Sequence, residues 1–291
     1  MRLSSARALA LAIGLGAATA ASISHTASAQ TADANTVLAT TRETLGGDAR
    51  IAKVHTFVVT GRTRQVRGDN LVPIEFEIQA ELPDRYARRD EFPAQDAGPS
   101  TSGFNGEALV QIPPPALPPA RGGGPPPPTS AQLEAQARAR VTALKQDFAR
   151  LLLGMFAGSS PSYPLTFSYA GQAEAPQGKA HVLDVKGPSD FAARLFVDAQ
   201  THLPLMVTWQ QAPPAPRRGG APGPPPQGGA PAGPSPAVEH RLYFADYRDV
   251  DGLKLPFRLR HAVGAETTEE TTFDRFRINA RVDPKRFEPA S

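Results

Sequence analysis

The side chains best suited to acid–base catalysis or metal binding in this chain are histidines. After residue 29 they are His55, His181, His202, His240 and His261. No two of them have the i, i+4 spacing of a helical zinc site, and the chain has no cysteine. The nucleophile elbow, the phosphate-binding glycine loop and the dinucleotide fingerprint are absent from the sequence. We therefore predict no catalytic residue, no metal site, no cofactor and no enzymatic activity, and we interpret the histidines as structural or surface residues.

The charged residues also exclude some functions. The chain has 31 Lys and Arg against 28 Asp and Glu, and its basic runs are no longer than pairs such as Arg88-Arg89 and Arg217-Arg218. A nucleic-acid-binding surface needs a basic stripe or patch, so we predict no nucleic-acid partner. The acidic clusters near Asp249 and Glu269 do not have the spacing of a calcium loop and are interpreted as turn and surface residues.

Apolar side chains carry most of the remaining functional information. They recur at alternate positions of predicted strands and on one side of a long predicted helix, a pattern typical of a core or of a greasy ligand cavity. A packed core and an open cavity both remain possible at this point. The candidates for lining such a cavity are Phe57, Val59, Phe76, Ile78, Phe148, Leu152, Met155, Phe156, Phe196, Trp209, Phe244 and Phe257.

Two helices are predicted to position part of this set. The first covers residues 34–45 and stops at Gly46-Gly47. The second covers residues 130–156 and begins with a Thr129-x-x-Gln132 capping box. Its last two turns are apolar almost all round, so we expect nearly every side chain there except Arg150 to be buried.

Most other segments predict antiparallel strands joined by short turns. Residues 74–82 alternate strictly between apolar and acidic or polar side chains, so one side of this strand faces a core. About eleven such strands occur, without the βαβ rhythm of a parallel sheet. We predict an α+β fold: a strongly curved antiparallel sheet that forms an incomplete β-barrel, with helices covering its concave face.

The N-terminus predicts export. Residues 1–29 contain Arg2 and Arg7, an apolar stretch too short to span a bilayer, and a small-x-small cleavage site before Gln30. We predict a Sec-type signal peptide, no lipid anchor, a periplasmic location and a monomeric mature domain over residues 30–291. Residues 113–128 and 212–236 hold most of the 31 prolines and are predicted as disordered insertions, although a proline-rich recognition motif is the functional alternative.

The order of these parts resembles the LolA-like family of periplasmic outer-membrane lipoprotein carriers and lipoprotein-sorting proteins. The resemblance extends from about residue 35 to 291, with both proline-rich segments as insertions. It rests on Leu45-Gly46-Gly47, residues 81–86 (ELPDRY), residues 103–107 (GFNGE), residues 195–198 (LFVD) with 201–204 (THLP), residues 246–256 (DYRDVDGLKLP), and Ile278-Asn279 with residues 282–284 (VDP) and Phe287.

The resemblance implies a half-open barrel under a helical lid that carries lipoprotein acyl chains or other lipids between membranes without covalent chemistry. In the classical carrier a basic residue before the proline of the strand-ending turn helps to hold the lid shut, whereas this chain has Leu82 before Pro83. An envelope sensor or regulatory module that binds a membrane-protein partner is the alternative, because the same fold occurs in such regulators. An enzyme is the third hypothesis, because one small enzyme of an indole-pigment pathway shares this architecture.

Overall fold

The computed structural model describes residues 33–93, 98–114, 127–175, 178–212 and 236–289. The predicted signal peptide and almost all of the two proline-rich segments lie outside these ranges.

Twelve strands form one sheet in which every neighbouring pair is antiparallel. They are β1 (Thr56–Arg67), β2 (Asn70–Glu81), β3 (Arg85–Glu91), β4 (Ser100–Asn105), β5 (Ala108–Ile112), β6 (Thr166–Ala175), β7 (Gly178–Gly187), β8 (Phe191–Asp198), β9 (Pro204–Gln211), β10 (Val238–Val250), β11 (Leu253–Val263) and β12 (Glu266–Ile278). The order is β5-β4-β3-β2-β1-β12-β11-β10-β9-β8-β7-β6, so β5 and β6 are unpaired edges and the barrel is incomplete.

The predicted fold class is confirmed, with one strand more than expected. The strand missed by the pattern is β4, because Ser100–Asn105 lacks regular apolar alternation. Its Gly103 is required by packing: a Cβ there would overlap the backbone of Tyr86 on the neighbouring strand. The structure pairs β4 with both β3 and β5, which places this short segment inside the sheet.

Local irregularities accompany the curvature of the sheet. Register shifts occur at Thr60/Gly61, Tyr169/Gly171, Phe196/Val197 and His261/Ala262. An extra residue on one strand bends that strand and increases its twist. Consistent with this, the helix α3 (Ser130–Phe156) contacts the edge strand β5, its neighbour β4 and the distant strand β9, because the sheet curves around it.

Within the described ranges three helices accompany the sheet: α1 (Ala34–Thr44), α2 (Asp48–Ile51) and α3 (Ser130–Phe156). A 3-10 turn, Pro284–Phe287, follows β12. Asp33 caps α1 by accepting a hydrogen bond from the Thr36 backbone N–H at 2.8 Å. The predicted capping box of α3 is present, with Thr129 and Gln132 bonded reciprocally. Both long helices lie on one side of the sheet, and the core lies between them and the strands.

Candidate functional site

The strand side chains that face α1 and α3 form the main apolar surface of the molecule, which we call the α3 face. They pack in two buried clusters, one centred on β1–β4, β11 and β12 and one on β7–β10. The structure brings together all the predicted cavity-lining residues except Phe196: Phe57, Val59, Phe76, Ile78, Phe148, Leu152, Met155, Phe156 and Phe257 lie in the first cluster, and Trp209 and Phe244 in the second.

In this structure the α3 face is filled by the protein's own side chains. The Phe148 ring of α3 lies 4.8 Å from the Tyr86 ring and 6.2 Å from the ring of Phe57, measured between centroids. Beside Phe148 and Leu152 a cavity of only about 10 Å³ is found, no larger than one water molecule. An acyl chain would therefore need α3 to move before it could reach these residues.

The C-terminal turn of α3 approaches the sheet very closely. Gly154 lies against the Phe244 ring, and a Cβ at position 154 would overlap that ring. The Tyr247 hydroxyl lies 3.0 Å from the Gly154 carbonyl oxygen and 2.9 Å from that of Pro204. Burial raises the pKa of Tyr247 well above its usual value, so its hydroxyl keeps its proton and remains a donor. Tyr247 thus fastens the end of α3 to the sheet.

Polar contacts at the surface hold the middle of α3. Arg140 donates to Gln111, and Lys145 pairs with Glu107 in the β4–β5 turn. The Gln146 side chain donates to the Ser189 carbonyl oxygen at 3.0 Å. Exposed pairs of this kind contribute little each, so most of the stability of the docked helix comes from its apolar side.

Arg150 is buried, which corrects the expectation from the sequence. Only 6 % of its surface is exposed, and its guanidinium carbon lies 4.2 Å from the centroid of the Trp209 ring. Its Nη1 pairs with Asp147 at 2.7 Å, whereas its Nε has no hydrogen-bond partner among the described residues. The helical pattern suggested exposure for a charged residue, but the Trp209 ring supplies a cation–π surface that no sequence spacing indicates.

His240 and His261 form a second contact that spacing did not predict. Nδ1 of His240 lies 3.1 Å from Nε2 of His261, and both rings stack near Trp209, with centroids 5.2 and 5.5 Å away. Burial lowers the pKa of both histidines, and the nearby Arg150 charge acts in the same direction. The shared hydrogen bond needs one nitrogen that accepts, so at least one of the two rings is neutral.

The mouth of the α3 face carries a polar cavity of about 720 Å³ between α3 and strands β7–β10. Its lining includes the buried residues Arg150, Phe191 and Trp209 and the charged residues Asp184, Lys186 and Arg194 of β7 and β8. Charges of both signs line it, so it selects no single sign of ligand.

Phe196 lies on the opposite side of the sheet. It alternates with Leu195 and Val197, both fully buried on the α3 face, and is itself partly exposed. The strand alternation was evident in the sequence, but which alternate set faced the helices was not.

Comparison with solved structures identifies the fold of this protein. No family model matches the chain, and no curated protein matches it. A LolA superfamily protein from Nitrosomonas europaea matches in structure with a TM-score of 0.51, at 11 % sequence identity, over 88 % of this chain and 98 % of that one. The protein has the LolA-like fold. A putative outer membrane lipoprotein-sorting protein domain from Vibrio parahaemolyticus matches with a TM-score of 0.43, at 10 % identity, over 82 % of this chain and 93 % of the other.

In this LolA-like fold the strand-ending turn at Leu82-Pro83 is tied to the segment after α3. The Ser160 hydroxyl donates to the Pro83 carbonyl oxygen at 2.6 Å and the Ser162 hydroxyl donates to the same oxygen at 2.8 Å. Contact between the turn and the segment after α3 therefore does not depend on a basic side chain before the proline. Neutral hydroxyls make the connection instead.

Two further observations concern the described residues as a whole. Within residues 33–289, apart from the gaps noted above, no group of three or more histidine, aspartate or glutamate side chains could hold a metal ion. None of the described helices is long and apolar enough to cross a membrane.

Proposed function

We propose that this LolA-like protein is an exported envelope carrier that holds the acyl chains of lipids or lipoproteins against the α3 face when α3 swings aside. The observation that carries the proposal is the large apolar surface of the sheet that α3 covers, and the proposal requires α3 to move away from it. The export signal of residues 1–29 supports the periplasm as the place where it acts.

The energetics favour an acyl chain as cargo. Each methylene transferred from water to an apolar surface is worth about 0.8 kcal/mol, so ten of them supply about 8 kcal/mol without any polar contact. That free energy offsets the cost of displacing α3. The measured affinity then depends on the fraction of molecules in which the lid is open.

The single tryptophan provides a direct test. Trp209 is the only tryptophan in the chain and lies in the α3 face. A brominated fatty acid, 9,10-dibromostearate, quenches tryptophan fluorescence at contact, so we expect quenching when its chain replaces α3 there. Stearate without bromine should bind but not quench. Lipid extraction of the purified mature protein, followed by mass spectrometry, tests whether acyl lipids co-purify.

A matched pair of glycine variants tests the role of the lid. Gly154→Ala places a methyl group against the Phe244 ring and should loosen α3, which raises the affinity for dibromostearate several-fold. Gly158→Ala adds the same methyl group where its nearest heavy atom is at 3.5 Å, an ordinary contact, and should bind like the wild type. The proposal fails if no variant shows quenching and no acyl lipid is extracted.

A further inference from the structure

A second, larger cavity lies on the face of the sheet away from α3. Its volume is about 1040 Å³, within the upper range of small-molecule sites. It is lined mainly by residues that alternate with buried core residues, such as Phe196 between Leu195 and Val197. Strands β6–β12 and β1 all contribute to it, and α3 does not.

One half of this cavity is apolar. Phe196, Leu205 and Met206 of β8 and β9 line it together with small alanines of β6 and β7. Leu205 is 38 % exposed, and Phe196 and Met206 are partly exposed, so within the described residues these side chains remain accessible to water. A cluster of accessible large apolar side chains in a concave site is typical of ligand binding.

The other half is basic. Arg62, Arg64, Arg258 and Arg260 line it, against the carboxylates of Asp198 and Glu270. Asp198 is already engaged, because its carboxylate accepts the backbone N–H groups of Gln200 and Thr201 at 2.9 and 2.6 Å.

The strand register shows which arginine charges remain available. Glu270 lies opposite both Arg64 and Arg260, and Arg62 is bonded to Asp274 at 3.2 Å. Arg258 faces Thr272, forms no salt bridge with any described residue, and lies near Asp246, whose carboxylate is already paired with Arg248. Arg260 stacks 4.2 Å over the Tyr243 ring, which holds its guanidinium in place on this face. Four arginines therefore stand against the two carboxylates of Asp198 and Glu270 in the lining of the cavity, and Arg260 is held in place as a donor for an anion.

The two halves lie side by side across the strands. Phe196 is on β8 and Arg258 is on β11, three strand positions away, which corresponds to about 14 Å at the usual spacing between strands. This separation suits a molecule with one medium-length acyl chain and an anionic head. A free inorganic anion would leave the apolar half empty, and a neutral lipid would leave the arginines without a partner.

We propose that this cavity binds a single-chain anionic amphiphile, with its acyl chain along Phe196, Leu205 and Met206 and its carboxylate or phosphate at Arg258 and Arg260. Binding here requires no movement of α3. The site is therefore separate from the carrier function proposed for the α3 face.

Calorimetric titration of the full-length mature protein tests this site, with dodecanoate, dodecyl phosphate and the neutral 1-dodecanol as probes. We expect both anions to bind more tightly than the alcohol, since only they engage the arginines. Tighter binding of dodecyl phosphate points to a phospholipid-derived ligand and tighter binding of dodecanoate to a fatty acid; either preference over the alcohol supports the proposal. Equal affinity for all three probes overturns it.

Amino-acid substitutions test whether the three probes bind in this cavity. The double variant Arg258→Gln/Arg260→Gln should weaken dodecanoate binding at least tenfold and leave dodecanol binding unchanged. Arg275→Gln/Arg277→Gln removes two exposed arginines of β12 outside the cavity and should have no effect. Met206→Asp should weaken all three probes, with circular dichroism as the check of folding.

These experiments distinguish binding in this cavity from binding at the α3 face. If dodecanoate binding is unchanged in Arg258→Gln/Arg260→Gln but rises in Gly154→Ala, the second site does not exist and only the α3 face binds. If the arginine variant loses binding while dibromostearate never quenches Trp209, the cavity described here is the lipid site and the lid proposal is wrong.

Discussion

Among single residues, Arg150 makes the most unusual contacts: a buried guanidinium stacked on Trp209, paired with the exposed Asp147, and with one N–H unpartnered within the described residues. Desolvation of a charge is costly, and a cation–π contact with one ion pair offsets only part of that cost. Much of what Arg150 contributes to stability should therefore come from its alkyl chain and its volume.

Two substitutions separate volume from charge at this position. Arg150→Ala should lower the free energy of unfolding by about 2–4 kcal/mol, because it leaves a cavity beside Trp209 and Phe191. Arg150→Met keeps most of the volume and should cost less than about 1.5 kcal/mol. Urea denaturation measures both. Equal losses would mean that the charge, and not the packing, is what stabilises this contact.

The histidine pair predicts a pH dependence of stability. The pKa values of His240 and His261 are lowered from 6.5 in the folded state, mainly by burial, with Glu269 opposing the shift at His261. Below pH 6.5 the unfolded chain therefore binds more protons than the folded one. The stability that the two neutral histidines contribute is fully present above that pH, and it is lost as the pH falls through their lowered pKa values.

Denaturation curves between pH 7.5 and 5 test this dependence. We expect the unfolding free energy to fall with pH in the wild type and to fall less steeply in His240→Gln/His261→Gln. The exposed His55 provides the control, since His55→Gln should keep the wild-type slope. A slope that is unchanged in the double variant would exclude the pair as its source.

Among the elements, α3 covers the largest part of the α3 face, and the proposed carrier function requires it to move. Its apolar C-terminal half is buried, and a small number of polar contacts fasten it: Tyr247 to Gly154, and Ser160 and Ser162 to Pro83. These bonds lie outside the strand ladders, because the strands are paired with one another and not with α3.

Removing one hydroxyl should loosen this helix. Tyr247→Phe loses the bond to the Gly154 carbonyl and should cost about 1 kcal/mol. We expect faster hydrogen exchange in the last turns of α3 while the strand amides stay protected. Tyr243→Phe removes a hydroxyl on the opposite face and should leave α3 exchange unchanged. If hydrogen exchange became faster at the amides of the whole sheet as well, the substitution would have destabilised the entire protein instead.

For the whole molecule, the long proline-rich segment joins two strands that are already paired. Gln211 lies opposite Val238, so the β9–β10 ladder extends to both ends of residues 212–237. A two-residue hairpin turn can close such a pair. A short loop also costs less closure entropy than a long one, by about 0.6 kcal/mol for each halving of length.

Replacement of residues 212–237 by Asn-Gly should therefore raise the unfolding free energy by about 1–2 kcal/mol. A scrambled segment of the same length should keep wild-type stability. Dibromostearate binding should survive both changes if the protein is a carrier. Loss of envelope partners in pull-downs with the shortened variant, without loss of lipid binding, would favour the sensor hypothesis.

The pattern of neighbouring residues was sufficient to predict most of the strands and both long helices. Alternation over residues 74–82 predicts β2, and the capping box at Thr129 predicts the start of α3, because both signals depend on neighbours a few positions apart in the chain. The strand β4 escaped prediction because its Gly103 is explained only by close packing against β3, which is a contact that local pattern does not show.

The sequence by itself determined the antiparallel α+β class, the two long helices and all but one of the apolar residues that meet on the α3 face; the export signal stays a prediction. Only the tertiary structure decided that the space under α3 is filled by side chains. It also placed Arg150, His240 and His261 around Trp209, and Phe196 in a separate cavity with Arg258 and Arg260. The physical reason is that periodicity reveals which residues share a face, whereas strand order, register and helix docking decide which faces meet.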